Sequence, residues 1–386
     1  MRENSICSPV EFGLRLIGLW PNYAYAMIHR IFWTITMIFV LFFECVYVVK
    51  HIKTDELPDL MDSLTITLSN GLLFCKLIIL WLNDRILEGI LMTIAEDYDN
   101  NEKDNDRERM YNKVILSQRF ASCTILLYST TVILFSVSVI FAPERVPVLK
   151  MELPFDAMKS PIYELVSILQ FLQELLFAST SGLLNGLIVT LMLHLGGQAE
   201  IMCQKLTNIS PKIMKEKSCK DTLKSLIDSH ERIINFSLNV ESVFTYIALL
   251  QFLSNTLAIC FSGFVIITVN MSFDSDQGLV ILAKTLPYYT VVNLEAFVLC
   301  FAGEYLTSKN DRSSTFSQGK AIGEAAYTST WYELKPNESR YFLLLILRSQ
   351  KRLTITVGKF MDLSLEGFAS ILKASASYVS VLYAMY

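Results

Sequence analysis

The sequence predicts an all-α polytopic membrane protein. It has seven transmembrane helices, a cytoplasmic N-terminus, an extracellular C-terminus and a helical cytoplasmic anchor domain. Three observations lead there. Seven apolar stretches approach or exceed the roughly 20 residues that a bilayer-crossing helix needs. Of the 386 residues, 52% are hydrophobic and 18% charged, against about 25% charged in ordinary soluble domains. The basic residues also fall on alternate connecting segments.

The first thirty residues are expected to be a cytoplasmic segment and not a cleaved leader. The apolar run from Phe12 to Trp20 is short, Glu11 and Arg15 interrupt its neighbourhood, and no small-residue cleavage pattern follows. Span 1 is predicted over residues 31–49, span 2 over 64–82 and span 3 over 122–142. Span 4 covers 165–195, span 5 243–269, span 6 279–302 and span 7 365–385. The apolar run from Tyr341 to Leu347 is too short to cross. Arg340, Arg348, Lys351 and Arg352 bracket it, and Pro336 and Asn337 signal a helix start just before it. It is predicted to be a helix packed inside a cytoplasmic domain.

The basic residues set the orientation. With the N-terminus inside, segments 1–30, 83–121, 196–242 and 303–364 are cytoplasmic and carry 25 of the 33 Lys and Arg. The opposite side carries five: Lys50, Lys53, Arg145, Lys150 and Lys159. Cytoplasmic loops of membrane proteins carry this excess. The 8 cysteines avoid the outer loops, so no disulfide framework is expected. Of the sequons at Asn208, Asn235, Asn270 and Asn337, only Asn270 falls on the outer side. The charged stretch from Glu96 to Arg109 reads as a solvated loop or helix end.

Enzyme chemistry is not expected. The chain has no GxSxG, Walker, HExxH or CxxC pattern. His29, His51, His194 and His230 are scattered, so neither a metal site nor a cofactor is predicted. A G-protein-coupled receptor is opposed by the inverted orientation and by the end of span 3 at Phe141, Ala142 and Pro143 in place of an acidic-Arg-aromatic triplet. The absence of an internal repeat argues against a secondary transporter.

Span 4 is the most polar, with Gln170, Gln173, Glu174, Thr180, Ser181 and Asn185. Such groups turn to the bundle interior. Gln170 and Glu174 are four apart and share a face. They offer a ligand or ion site near Glu174, or more plainly an interhelical hydrogen bond. Span 6 carries Pro287, Tyr288 and Tyr289, read either as cavity lining or as interfacial anchors. Lys284 lies near the end of span 6 and can snorkel. Lys373 lies deeper, within span 7, and needs water, a carboxylate or neighbouring carbonyls. Span 7 is rich in small residues, which suits close packing or a narrow wet lumen. Val381 and Met385 share one of its faces, as side chains of a dewetting gate would.

The segment Ala325-Ala326-Tyr327, then Trp331-Tyr332, Leu344 to Lys351, Gly358-Lys359-Phe360 and Leu363-Ser364 resembles the C-terminal signature of insect odorant receptors. So does the tail from Phe368 to Tyr378. Ala376 stands where many members have tyrosine. The gustatory relatives usually end with Thr-Tyr and Gln-Phe, which this chain lacks. The resemblance implies an odorant receptor subunit of a ligand-gated non-selective cation channel: a heterotetramer with the shared co-receptor (Orco-type) in the plasma membrane of sensory-neuron dendrites. Segment 196–242 lacks the co-receptor's long insertion, which implies a tuning subunit. The implied organisation is a cytoplasmic segment 1–30, spans 1–6 over 31–302, an anchor region 303–364 and a pore-lining helix 365–386. Val381, Met385 and Lys373 would belong to the pore and gate. A pocket for a small lipophilic odorant would lie in the outer half of the membrane. By depth and helical face its lining would be Leu68, Leu72, Val132, Phe135, Val139, Phe171, Leu175, Tyr288 and Tyr289. Membrane lipids and permeant cations are the other implied partners; nucleic acid is not. The alternative is a gustatory-type or other seven-helix chemoreceptor that signals without its own pore.

Overall fold

The structure is a computed structural model. It describes residues 8–54, 56–100, 104–140, 147–208, 219–271, 276–307, 318–329, 331–333, 335–350 and 355–385. Cys7, Phe141, Ala142, Pro143, Arg145, Lys351 and Arg352 lie outside the described residues.

Helices dominate: α1 (Ser8–Leu16), α2 (Ala26–His51), α3 (Leu57–Leu82), α4 (Asp84–Asn100), α5 (Asp104–Ile140), α6 (Ile162–Thr207), α7 (Cys219–Met271), α8 (Asp276–Thr307), α9 (Gln318–Thr328), α10 (Pro336–Ser349) and α11 (Leu365–Met385). Seven of them, α2, α3, α5, α6, α7, α8 and α11, are long and apolar enough to cross a membrane. They coincide with the seven predicted spans. Their alternating direction puts α1, α4, α9 and α10 at the end where the chain starts. The α2–α3 turn and the loop 147–161 lie at the end where it finishes.

Most spanning helices run past their apolar windows. α6 has 46 residues and α7 has 53, because an amphipathic continuation packs outside the apolar layer. α4 falls within the expected cytoplasmic segment 83–121, and its last residues from Glu96 onward belong to the stretch expected to be a solvated loop or helix end. Its Leu87, Ile90, Leu91 and Ile94 are all buried and recur at helical spacing, so one stripe joins the core while acidic residues face out. Asn83 separates it from α3: both its backbone N–H and its side-chain amide donate to the Ile79 carbonyl, at 3.1 and 2.8 Å. Gly18, at φ +71°, ends the turn after α1. Its carbonyl accepts from Arg30 Nε at 2.9 Å, and Arg30 also reaches Asp84 at 3.0 Å. One guanidinium thereby ties α1, α2 and α4 together.

α6 is the central post, with 67% of its apolar window buried against 11% for α11. Gly182 and Gly186 let α5 lie directly on it. A Cβ at 182 would meet Ile125 Cα at 3.0 Å, and one at 186 would meet Ala121 Cβ at 2.7 Å. The outward faces are apolar in the way lipid requires: Ile31, Ile35, Ile38, Phe39 and Phe42 of α2 are all more than half exposed.

The region after α8, expected to be helical, also contains a two-stranded hairpin. β1 (Thr356–Val357) pairs antiparallel with β2 (Met361–Asp362). Its turn places Gly358 and Lys359 at φ +58° and +65°, the left-handed conformation such turns need. The hairpin docks on α7, where the Gly358 N–H donates to the Thr245 carbonyl at 3.0 Å and Thr245 Oγ1 donates to the Thr356 carbonyl at 2.9 Å. α10 starts with Pro at its first turn, as the sequence predicts, and buries Phe342 and Leu345 in the core.

Candidate ligand-binding site

α3, α5, α6, α7 and α8 surround a cavity of about 120 Å³, in the half of the bundle nearer the C-terminal end. Its apolar wall includes Ile66, Leu72, Val132, Phe135, Phe177 and Ala258. Its polar wall includes Asn70, Lys76, Glu174, Asn255, Tyr288 and Glu295. A mostly apolar hollow with a few convergent polar groups is the usual form of a small-molecule site.

The polar wall is built from groups that lipid would not tolerate. Lys76 of α3, 3% exposed, forms an ion pair with Glu295 of α8 at 3.1 Å. Asn185 of α6 donates to the same Glu295 oxygen at 3.1 Å and reaches the Tyr128 hydroxyl at 2.8 Å. One acid therefore gathers α3, α5, α6 and α8. A second knot joins α2, α3 and α6: the Asn70 amide donates to Glu44 at 2.9 Å and to Glu174 at 3.1 Å. Tyr288 shares a short hydrogen bond with Ser69.

The cavity is closed toward the C-terminal end by the loop after α5. Gln170 holds that loop with both ends of its amide, accepting from the Leu149 N–H and donating to the Leu149 carbonyl, each at 3.1 Å. Leu149 itself lines the cavity. Further out, Lys150 pairs with Asp59 at 2.8 Å and Lys50 with Glu152 at 2.8 Å. The hydrogen bond from Lys50 holds the Glu152 carboxyl below its ordinary range. Two smaller hollows adjoin the cavity, and Ile66 and Phe135 line all three. Lys284 stands at that partition. It pairs with Asp62, and its ammonium lies 5.7 Å from the centre of the Phe135 ring.

Of the residues expected at the pocket, Leu72, Val132, Phe135 and Tyr288 meet on the cavity wall. Val139 lines one of the adjoining hollows. Leu68, Phe171, Leu175 and Tyr289 are on none of these walls. The cause is helical phase. On α6 the inward rail is Glu174, Ala178 and Ser181, so Phe171 lies a turn short of the cavity and Leu175 points about 100° away. Tyr289 packs instead against a small cluster of Ala258, Ile259, Val292, Ala296 and Ile371. That cluster joins α7 and α8 to α11, and Ala258 and Val292 of it also line the cavity. Lys373, Val381 and Met385 are exposed on α11 and away from the cavity, whereas Gly367, Ile371 and Ser375 form its buried face. Lys284 forms an ion pair, a more specific arrangement than the snorkelling expected of it.

Sequence reasoning missed Glu44, Asn70, Lys76, Glu295 and the whole contribution of span 5, including Ser254 and Asn255. A signal existed: ionisable groups inside apolar spans are rare and inward-facing, and Glu44, Lys76 and Glu295 are such groups. Among the described residues no cluster of three metal-binding side chains forms. Cys45, Cys75, Cys123, Cys203, Cys260 and Cys300 are free.

The fold and the sequence have clear counterparts. Residues 56–376 match the family model described as 7tm Odorant receptor. Odorant receptor 13a of Drosophila melanogaster is 26% identical over 81% of this chain and 77% of its own length. Odorant receptor 82a of the same species is 23% identical over 61% of this chain, and the match spans 56% of that protein. Odorant receptor 10 of Aedes albopictus is 32% identical over 42% of this chain, spanning 39% of that protein. The insect olfactory receptor OR5 from Machilis hrabei, solved in complex with eugenol, superposes with a TM-score of 0.81 at 15% identity, covering 98% of this chain and 97% of that one. These counterparts are receptors and not enzymes. With the family match running through five of the seven spans and into the last, the chain belongs to the 7tm odorant receptor family.

Proposed function

We propose that this chain is the odorant-binding subunit of a ligand-gated non-selective cation channel, opening a pore together with the shared co-receptor in a heterotetramer of the plasma membrane. Sensory-neuron dendrites are the expected site. The N-terminal end of the bundle is cytoplasmic, on the strength of the Lys and Arg distribution. The cavity and its adjoining hollows then lie toward the outer face, beneath the loop that carries Leu149. The fold it shares with OR5, a receptor solved with eugenol, supports reading that cavity as an odorant pocket.

The observation that carries this reading is the shared wall between the cavity and α11. Ala258 and Val292 touch the hollow on one side and belong on the other to the cluster that includes Ile371. Ser375 adds a hydrogen bond to the Thr256 carbonyl of α7 at 3.0 Å. A ligand that presses on α7 and α8 therefore bears on the seat of α11. Most of α11 faces away from its own chain, with Val381 and Met385 56% and 80% exposed. That bare face suits neighbours arranged around an axis, with Val381 and Met385 as an apolar gate and Lys373 in its wet vestibule. Gating follows if the ligand binds the open arrangement better than the closed one; equal affinity for both would move nothing.

The test is current evoked by small lipophiles in cells expressing this chain with and without the co-receptor. Responses that require both subunits, and that persist in excised patches without nucleotides, support the reading. Surface-expressed subunits that stay silent to a broad panel, or responses that vanish with nucleotides, count against it.

A further inference from the structure

The cavity's polar wall leaves two hydrogen-bonding needs unmet, and they are of opposite kind. Asn255 is 3% exposed, and its Oδ1 accepts from Gln251 Nε2 at 2.6 Å. Its Nδ2 has no partner, although it is buried and the residue lines the hollow. A buried N–H in that state calls for an acceptor. Glu174 on another wall accepts one hydrogen bond, from Asn70, and no lysine, arginine or histidine among the described residues pairs with it. A carboxyl oxygen facing a hollow calls for a donor. The remaining strong groups are already engaged: Glu295 by Lys76 and Asn185, and Tyr288 by Ser69.

Size narrows the answer further. At about 120 Å³ the hollow is slightly smaller than an apolar cavity of about 150 Å³ that holds one benzene. A molecule filling it touches every wall, those of Asn255 and Glu174 included.

Resting on the ligand-binding reading above, we propose that this site selects a single-ring-sized molecule bearing a hydroxyl group, which accepts from Asn255 and donates to Glu174. A carbonyl or ester only accepts, so it meets Asn255 but offers no proton to a Glu174 carboxylate. An ammonium only donates and leaves the Asn255 N–H unpaired. A hydrocarbon of the same size satisfies neither.

Four probes of matched shape separate these cases: benzyl alcohol, benzaldehyde, benzylamine and toluene. Each is measured twice, as thermal stabilisation of the purified full-length chain and as evoked current with the co-receptor. Benzyl alcohol is expected to act at concentrations about tenfold or more below the other three. In the Asn255→Leu variant that preference over toluene should shrink severalfold while the toluene effect itself is retained, which also reports an intact fold. Equal potency of the four, a lead for benzylamine or benzaldehyde, or no stabilisation by any of them overturns the ligand class. Stabilisation in the proposed order with no current under any condition leaves the ligand class standing and overturns the channel reading instead.

Discussion

At the scale of single residues, the buried ion pair of Lys76 and Glu295 has the largest consequences. Removing one partner strands a charge among helices, a loss of about 3–5 kcal/mol. Lys76→Met alone should therefore lower the melting temperature of the detergent-solubilised protein sharply. Lys76→Met combined with Glu295→Leu should recover much of that loss, because no unpaired charge remains. A double variant no more stable than the single one would contradict this assignment. Gln170 makes a different kind of tie, since its two hydrogen bonds seat Leu149 over the cavity. Gln170→Leu should leave the backbone of that loop unpaired and speed ligand dissociation, read as faster decay of current on washout. Neither partnership was legible beforehand. Lys76 and Glu295 are 219 positions apart, and Gln170 meets an irregular loop whose path no periodicity encodes. What was legible was narrower: Gln170 and Glu174 turn to the bundle interior, because lipid leaves them no other place.

At the scale of elements, the sequence determines far more. Each spanning helix was readable from its apolar run, since a bilayer imposes a minimum length and forbids unpaired backbone. The extensions of α5, α6 and α7 past the membrane were not. Their amphipathic continuations carry too much charge to register as spans, and α4 reveals itself only through the stripe Leu87, Ile90, Leu91 and Ile94. Packing between elements is set by small residues at particular turns. Gly182→Val would drive a side chain into the α5 backbone beside Ile125. It should cost about 1–3 kcal/mol, as overpacking with a backbone shift does, measured as lost surface expression and earlier melting. Phe135 separates the three hollows on α5. Phe135→Ala should merge them and shift the response toward larger ligands, seen as a lower half-maximal concentration for two-ring probes than in the parent. Four of the nine expected lining residues reached the cavity. Depth and an approximate helical face placed them, and the exact helical phase decided which of their neighbours turned away.

At the scale of the whole molecule, α6 and α11 differ most in how much of each the chain itself covers. α6 has about two thirds of its apolar window buried, whereas α11 is nearly bare, held through Ile371, Ser375 and its hairpin-side end. A helix this exposed, with small residues along its length, leaves a face free for the partners of the proposed assembly. On the function proposed above, those partners are other subunits and Val381 stands at the constriction they form. Replacing Val381 with serine should then wet the constriction and raise current in the absence of ligand, with ligand binding unchanged. The most direct test of the central claim is the recording of ligand-evoked current with this chain alone, with the co-receptor alone and with both. The account predicts current to small lipophiles only when both are present, and constitutive current when Val381→Ser is used in place of the parent. Evoked responses without the co-receptor, or no response from well-expressed pairs across a broad panel together with an unchanged basal current in the variant, would contradict it.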